Sequence, residues 1–250
     1  MKVVLRLLAL ALLAGLALQL YFAGRIALMR SVNPESTAFQ RSEVYAVAKN
    51  TGALKWRQQW VPYARVSDHL KRAIIVSEDS GFIVHDGVDM QALEKAWEKN
   101  EKNEKNARAE QYVAPPASLA KAPPAKTPKI FGGSTITQQL AKNLFLSGER
   151  TFLRKGQELL LALMLEALLN KQRILEIYLN SVEWGEGVFG AEAASQHYYR
   201  KPASQLSPPE AARLAVMLPR PKYFETRTTS GYLASRARVI TARMGGVELP

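Results

Sequence analysis

The sequence predicts a mainly α protein, a helical domain behind one N-terminal transmembrane helix. Three observations predict it. Residues 3–24, VVLRLLALALLAGLALQLYFAG, are almost wholly apolar. From Ser67 onward, apolar side chains recur at helical spacing. Helix start signals precede several of those segments, and strand-like alternation is confined to short stretches.

Composition sets the outer bounds. Across 250 residues, 47% are hydrophobic and 22% charged, enough to bury one large core or two small ones. There is no cysteine, which excludes disulfides and thiolate metal sites. His69, His85 and His197 are widely spaced and show no zinc-ligand pattern. The formal net charge of +12 suits an anionic partner: nucleic acid, phospholipid headgroups or a phosphorylated substrate.

The first element is residues 1–24. About 22 apolar residues cross a bilayer core as one helix. A signal peptide would have a shorter apolar run closing on small residues, and here Tyr21 and Phe22 stand at that place. An uncleaved anchor is therefore expected, with both rings in the interfacial aromatic belt and Arg6 snorkelling to its own side. Residues 25–64 read as a connector with short extended pieces, in which EVYAVA and LKWRQQWVP pair as a small ribbon. Residues 65–250 form the main domain. Within it, residues 88–105 read as a helix with a polar end. Residues 107–129, ARAEQYVAPPASLAKAPPAKTPK, have too few large apolar side chains to build a core and read as a low-complexity flexible insertion. Residues 134–145 are helical, with Thr135 and Gln138 spaced as a capping box. Residues 152–169 form a long helix whose run LLLALMLEALL is either core or a membrane-contacting face. Residues 174–179 continue helically, GEGVFG marks a turn, and residues 191–199 make another helix. Ser207, the prolines after it and Glu210 announce the next.

Three groups of residues carry possible chemistry. Glu78 and Asp79 end the apolar run AIIV. Partial desolvation raises a carboxyl pKa toward the range a general base needs, and Asp79 could hold a cation or orient a basic group. The structural alternative is a helix terminus capped by Asp79, with Phe82 in the core. In GGSTITQQLAKNLFL, two glycines precede a helix start where backbone amides can bind an anion. Thr135, Gln138 and Lys142 fall on one face of it. A plain capped amphipathic helix explains the same pattern. In ERTFLRKGQE, Arg150, Arg154 and Glu158 lie four apart on one stripe. Lys142 and Arg150 suit the oxygens of a diphosphate, and a salt bridge from Arg154 accounts for Glu158 beside a very apolar run. His85 and His197 have no partner in sequence and read as structural.

Their order carries a resemblance. Glu78-Asp79-x-x-Phe82-x-x-His85-x-Gly87-x-Asp89 resembles the first motif of the peptidoglycan glycosyltransferases, glycosyltransferase family 51. GGSTITQQLAKNLFL resembles the second motif, RKGQE the third, and residues 171–221 the fourth and fifth. The resemblance runs over residues 66–245, interrupted by the low-complexity insertion. No penicillin-binding transpeptidase domain is expected to follow, which makes the chain similar to the monofunctional members of the family. Two positions depart from the pattern: Gly81 stands where a basic residue is common and Ile83 where an aromatic is common. Both bear on one contact near the acidic pair.

The resemblance implies a lysozyme-like, two-lobed glycosyltransferase domain. It implies polymerisation of lipid II onto a nascent glycan strand, with inversion and release of undecaprenyl diphosphate. It implies Glu78 as general base and Glu158 as the second carboxylate. Lys142 and Arg150 would meet the diphosphate, and Ser134, Thr135, Gln138 and Asn143 would line the groove with Arg154 and Lys155 in support and Asp79 counted among the substrate-binding residues. Asn180 and GEGVFG would be architectural. No cofactor is evident, although a divalent cation, Mg or Mn, is compatible with the family, and no dedicated metal site is visible. Expected partners are lipid II, the nascent strand, the membrane and proteins of division or wall synthesis, with no nucleic acid. The expected location is the bacterial inner membrane, single-pass, with the catalytic domain on the periplasmic side. The rival readings are a glycan-cleaving lysozyme-like enzyme, which would have no diphosphate for Lys142 and Arg150 to hold, and an inactive membrane scaffold, which would not need Glu78 and Glu158.

Overall fold

The computed structural model describes residues 1–113, 132–146 and 151–250, and the side chains of all but 107–113 of these. It is mainly helical, and its contacts divide it into two compact units: Met1–Val88 with Thr135–Pro250, and Asp89–Ser134.

The first helix, α1 (Lys2–Leu28), is long and apolar enough to cross a membrane. Its leucines are exposed along most of its length, but Ile26 and the following Met29 are buried in the core. Its last third packs on α6 (Phe152–Leu168). There, Gln19 and Gln157 exchange amide hydrogen bonds at 3.0 and 3.1 Å. Phe22 meets the edge of Phe145, and Arg30 Nε donates to the Leu168 carbonyl at 2.6 Å.

The connector differs from the expected ribbon. Residues of EVYAVA lie in α2 (Ala38–Thr51). Thr37 and Gln40 form a capping box that starts this helix: Gln40 N–H donates to Thr37 Oγ1, and Thr37 N–H to Gln40 Oε1. Val44 and Val47, three apart, are the buried positions, which is a helical rather than a strand spacing. The other half of the predicted ribbon does contain a strand, β1 (Arg57–Gln58), but it pairs in parallel with a distant segment, Arg57 opposite Val188.

The helix that ends at the acidic pair is α3 (Asp68–Glu78), started by Ser67, whose hydroxyl accepts from His69 N–H. Leu70, Ala73, Ile74 and Ile75 bury its apolar face. In the separate Asp89–Ser134 unit, α4 (Met90–Val113) is capped by Asp89, which accepts from Ala92 N–H at 2.8 Å. Helix thus extends over residues 107–113, where a flexible stretch was expected, and the rest of the 107–129 insertion lies outside the described residues.

Helix α5 (Ile136–Phe145) packs against α6 and α7 (Lys171–Ser181). On α6, Glu158, Leu161, Ala162 and Leu165 are buried while Phe152, Leu153, Leu159, Leu160 and Leu163 are exposed. That helix is therefore core on one side and, among the described residues, an exposed apolar face on the other. After α7, β2 (Glu183–Gly185) and β3 (Val188–Phe189) form an antiparallel pair, so the sheet order is β1-β3-β2. Asn180 is the joint between these parts: its amide donates to the Val61 and Glu176 carbonyls, and its Oδ1 accepts from Val61 N–H. Gly190 adopts φ +83°, and a Cβ there would come within 2.8 Å of the Asn180 carbonyl oxygen. The architectural role expected of this segment follows. Helices α8 (Ala191–Tyr199), α9 (Pro208–Met217), α10 (Pro221–Glu225) and α11 (Gly231–Arg243) complete the unit. A Ser207–Glu210 capping box starts α9 where Ser207 and the prolines after it announced a helix, and α3 packs against α9 and α11.

Candidate active site

Glu78 is the last residue of α3 and is half-buried. Burial pushes its carboxyl above the usual glutamate range, and the charge of adjacent Asp79 adds to the rise. Hydrogen bonds from Gln139 and Ser77 oppose it. The Gln139 bond, Nε2 to Oε2, is 3.0 Å long. These opposing influences leave a carboxylate that accepts a proton more readily than one in water.

Asp79 is buried, and both of its oxygens have partners. One oxygen accepts from Ile136 N–H, in the first turn of α5, at 2.9 Å. Both oxygens lie within 2.9–3.0 Å of His85 Nε2. Gly87 N–H donates into His85 Nδ1 at 3.1 Å, which assigns the ring proton to Nε2 and makes His85 the donor to Asp79. Sequence left His85 without a partner; the structure supplies Asp79. The bland alternative for this acidic pair also holds: Asp79 is the C-cap residue of α3, its N–H donating to the Ile75 carbonyl at 2.9 Å, while its side chain caps the start of α5. Phe82 is fully buried, as that alternative expected.

The loop is closed by Thr135, whose hydroxyl donates to the Gly87 carbonyl at 2.7 Å and also accepts from Gln138 N–H in the capping box. Gly87 has φ +86°, and a Cβ would meet Glu166 Cγ at 2.9 Å. Glu166 Oε1 in turn accepts from Thr137 Oγ1 at 2.6 Å and Lys171 Nζ at 2.8 Å. Lys171 reaches the His85 carbonyl and lies 4.8 Å from the centre of the Phe82 ring. One cation therefore binds the motif loop to α6 and α7. Nothing in sequence spacing singled out Glu166 or Lys171.

Thr135, Gln138 and Asn143 are all buried on α5. The first two make the capping box, Thr135 N–H donating to Gln138 Oε1 and Gln138 N–H to Thr135 Oγ1. The residue that reaches Glu78 is the neighbouring Gln139, which sequence reasoning passed over. Ser134 is exposed and ends the other unit. Lys142 is exposed in the last turn of α5.

Glu158 forms a second centre on α6. It is only 4% exposed, and two cations hold it: Arg154 at 2.8 Å and Lys155. The expected salt bridge from Arg154 is present. Arg150 lies outside the described residues, so the Lys142–Arg150 pair rests on sequence. Among the described residues, no three His, Asp or Glu side chains converge as a metal site.

Comparison with known proteins agrees with the motif order. The family model described as Transglycosylase matches residues 46–109 and 117–245, well over half the chain. A biosynthetic peptidoglycan transglycosylase of Burkholderia orbicola is 50% identical over 237 residues, which are 95% of this chain and 87% of that protein. The protein of the same name from Burkholderia thailandensis is 51% identical over 95% of this chain and 84% of its own length. The one from Herminiimonas arsenicoxydans is 50% identical over 94% and 92%.

Proposed function

From the premise that this chain belongs to the transglycosylase family, we propose that it is a peptidoglycan glycosyltransferase that polymerises lipid II into glycan strands. The lysozyme-like, mainly helical fold is that of the family. Glu78 carries the reading: a half-buried carboxylate of raised proton affinity at the end of α3, held by the Gln139 amide.

Glu78 removes the proton from the 4-hydroxyl of the acceptor sugar as that oxygen attacks the donor's anomeric carbon. The new β-1,4 bond forms with inversion while the bond to the diphosphate oxygen breaks. The electron pair leaves on undecaprenyl diphosphate, and Lys142 and Arg150 stabilise the charge that develops there. Arg154 and Lys155 hold Glu158 in place within the same basic segment. Asp79 and Thr135 fix the loop that presents Glu78. Gln138 and Asn143 shape the groove wall beside the bound sugars. The oxygens of Asp79 are engaged by His85 and the α5 backbone, an arrangement that does not fit a divalent cation there.

The helix α1 anchors the enzyme in the inner membrane, with the catalytic domain on the periplasmic side where lipid II is presented. Its length and exposed leucines support the span. Division and wall-synthesis proteins are its candidate partners.

The test is polymerisation of labelled lipid II by the full-length, detergent-solubilised protein. Glycan strands are expected from the native protein, abolished by Glu78→Gln and by moenomycin, which the family resemblance places in the donor site. Strands from Glu78→Gln at the native rate would remove Glu78 as the base.

A further inference from the structure

Tyr178 is distant from Glu78 in sequence, yet a single side chain joins them. The Tyr178 hydroxyl donates to Gln139 Oε1 at 3.0 Å, and Gln139 Nε2 donates to Glu78 Oε2 at 3.0 Å. An amide has one accepting end and one donating end, and a carboxylate only accepts. Toward ionised Glu78, the amide must therefore present Nε2. Its Oε1 then faces the interior, where an unmet acceptor is costly.

Tyr178 meets that need. Its ring is buried in the core on α7, a place that phenylalanine would fill equally well. A buried phenol needs a partner, and here the partner is the amide that touches the carboxylate. Burial, reinforced by the charges of Glu78 and Asp79, keeps the phenol protonated far above its ordinary range. The hydroxyl is thus a donor at every working pH, and it holds the amide in one of its two orientations.

We propose that Tyr178 and Gln139 are positioning residues, a fixed hydrogen-bond relay that orients Glu78 and keeps it ionised against the burial that favours its protonated form. The proposal rests on Glu78 being the base. Without the phenol the amide is free to turn over, Glu78 loses its donor for part of the time, and its proton affinity rises.

The experiment uses full-length protein and labelled lipid II across a pH series, with Tyr178→Phe, Gln139→Met, their double variant and Glu78→Gln. Tyr178→Phe removes one oxygen and keeps the ring. It is expected to move the acid limb of kcat/KM upward by about one pH unit, with a roughly tenfold loss below the limb that shrinks above it. KM should change little. A packing defect would lower the rate equally at all pH values. Gln139→Met keeps the shape without the amide and should reproduce the shift, and the double variant should be no worse than Gln139→Met alone. An unmoved limb in both single variants, or fully additive losses, overturns the relay.

Failure of the relay and failure of the base are separable. Activity retained in Glu78→Gln removes the base. The relay is then read from the carboxyl 13C signal of Glu78, identified by its absence in Glu78→Gln. An upward-shifted titration midpoint in Tyr178→Phe supports the relay, and an unchanged one overturns it.

Discussion

Glu78 is governed by two opposed influences: burial and Asp79 raise its proton affinity, and Gln139 and Ser77 lower it. On the proposed mechanism the ionised form is the base, so activity rises with pH through its pKa. Because that pKa lies above the ordinary 4.5, the acid limb of kcat/KM for the native enzyme should fall above that value. A pH–rate profile flat down to pH 4.5 would contradict it. Gly87 supports the same loop from behind. Gly87→Ala forces a left-handed backbone on a residue with a Cβ and a clash with Glu166 Cγ. A loss of about 1–3 kcal/mol in urea unfolding is expected. At this scale the sequence was partly legible. The Thr135–Gln138 spacing correctly announced a capping box, but a box consumes its own side chains. The contact to Glu78 fell to Gln139, which helical spacing alone does not distinguish from its neighbour and which depends on a tyrosine brought in by α7. Glu166 and Lys171 were equally silent, since their partners come from three separate segments.

Among elements, start signals were the readable part and pairing the unreadable part. Ser207 and Glu210 predicted α9 correctly. The Thr37–Gln40 box that starts α2 was overlooked in favour of a weak alternation over EVYAVA, and the strand β1 found its partner in β3 across most of the chain. Where α2, β2 and α10 meet, Glu183 is buried and its Oε1 accepts no hydrogen bond among the described residues. Burial first, and then Glu43, push its carboxyl up to about 7, against the pull of Lys222 at 3.6 Å. The folded state therefore holds a proton that the unfolded chain releases near 4.5. Stability from this group is present at low pH and is lost as pH rises from about 4.5 to about 7. Glu183→Gln should flatten that part of the stability profile and raise the melting temperature at pH 8 more than at pH 5. Equal changes at both values would show that Glu183 is not the titrating group.

Over the whole molecule, the sequence located the apolar helix but not how far it reaches into the domain. Hydropathy ends near residue 24, while the helix runs to Leu28 and Ile26 is wholly buried. The reason is physical: a side chain suited to lipid is equally suited to a protein core, and hydropathy cannot tell the two apart. The net charge of +12 should make the association of full-length protein with anionic vesicles weaken as salt rises, while insertion of α1 should not. Flotation at low and high salt, with and without residues 1–24, would separate the two contributions; salt-independent flotation of the shortened chain would show that charge has no part in it.

The Gln19–Gln157 pair has a practical consequence for anyone who wants a soluble version of this enzyme. Gln157 is the residue before Glu158, so trimming the chain at the hydropathy boundary does not sever a leash. It pulls a bracket off the wall that carries the second carboxylate. A version starting at Arg25 should melt lower and polymerise more slowly than one in which the outer leucines of α1 are replaced by polar residues and Gln19, Phe22 and Ile26 are retained. If both perform alike, the helix is only a tether. If they differ, the seam between membrane and enzyme lies some way inside the apolar run, nearer Gln19 than Gly24.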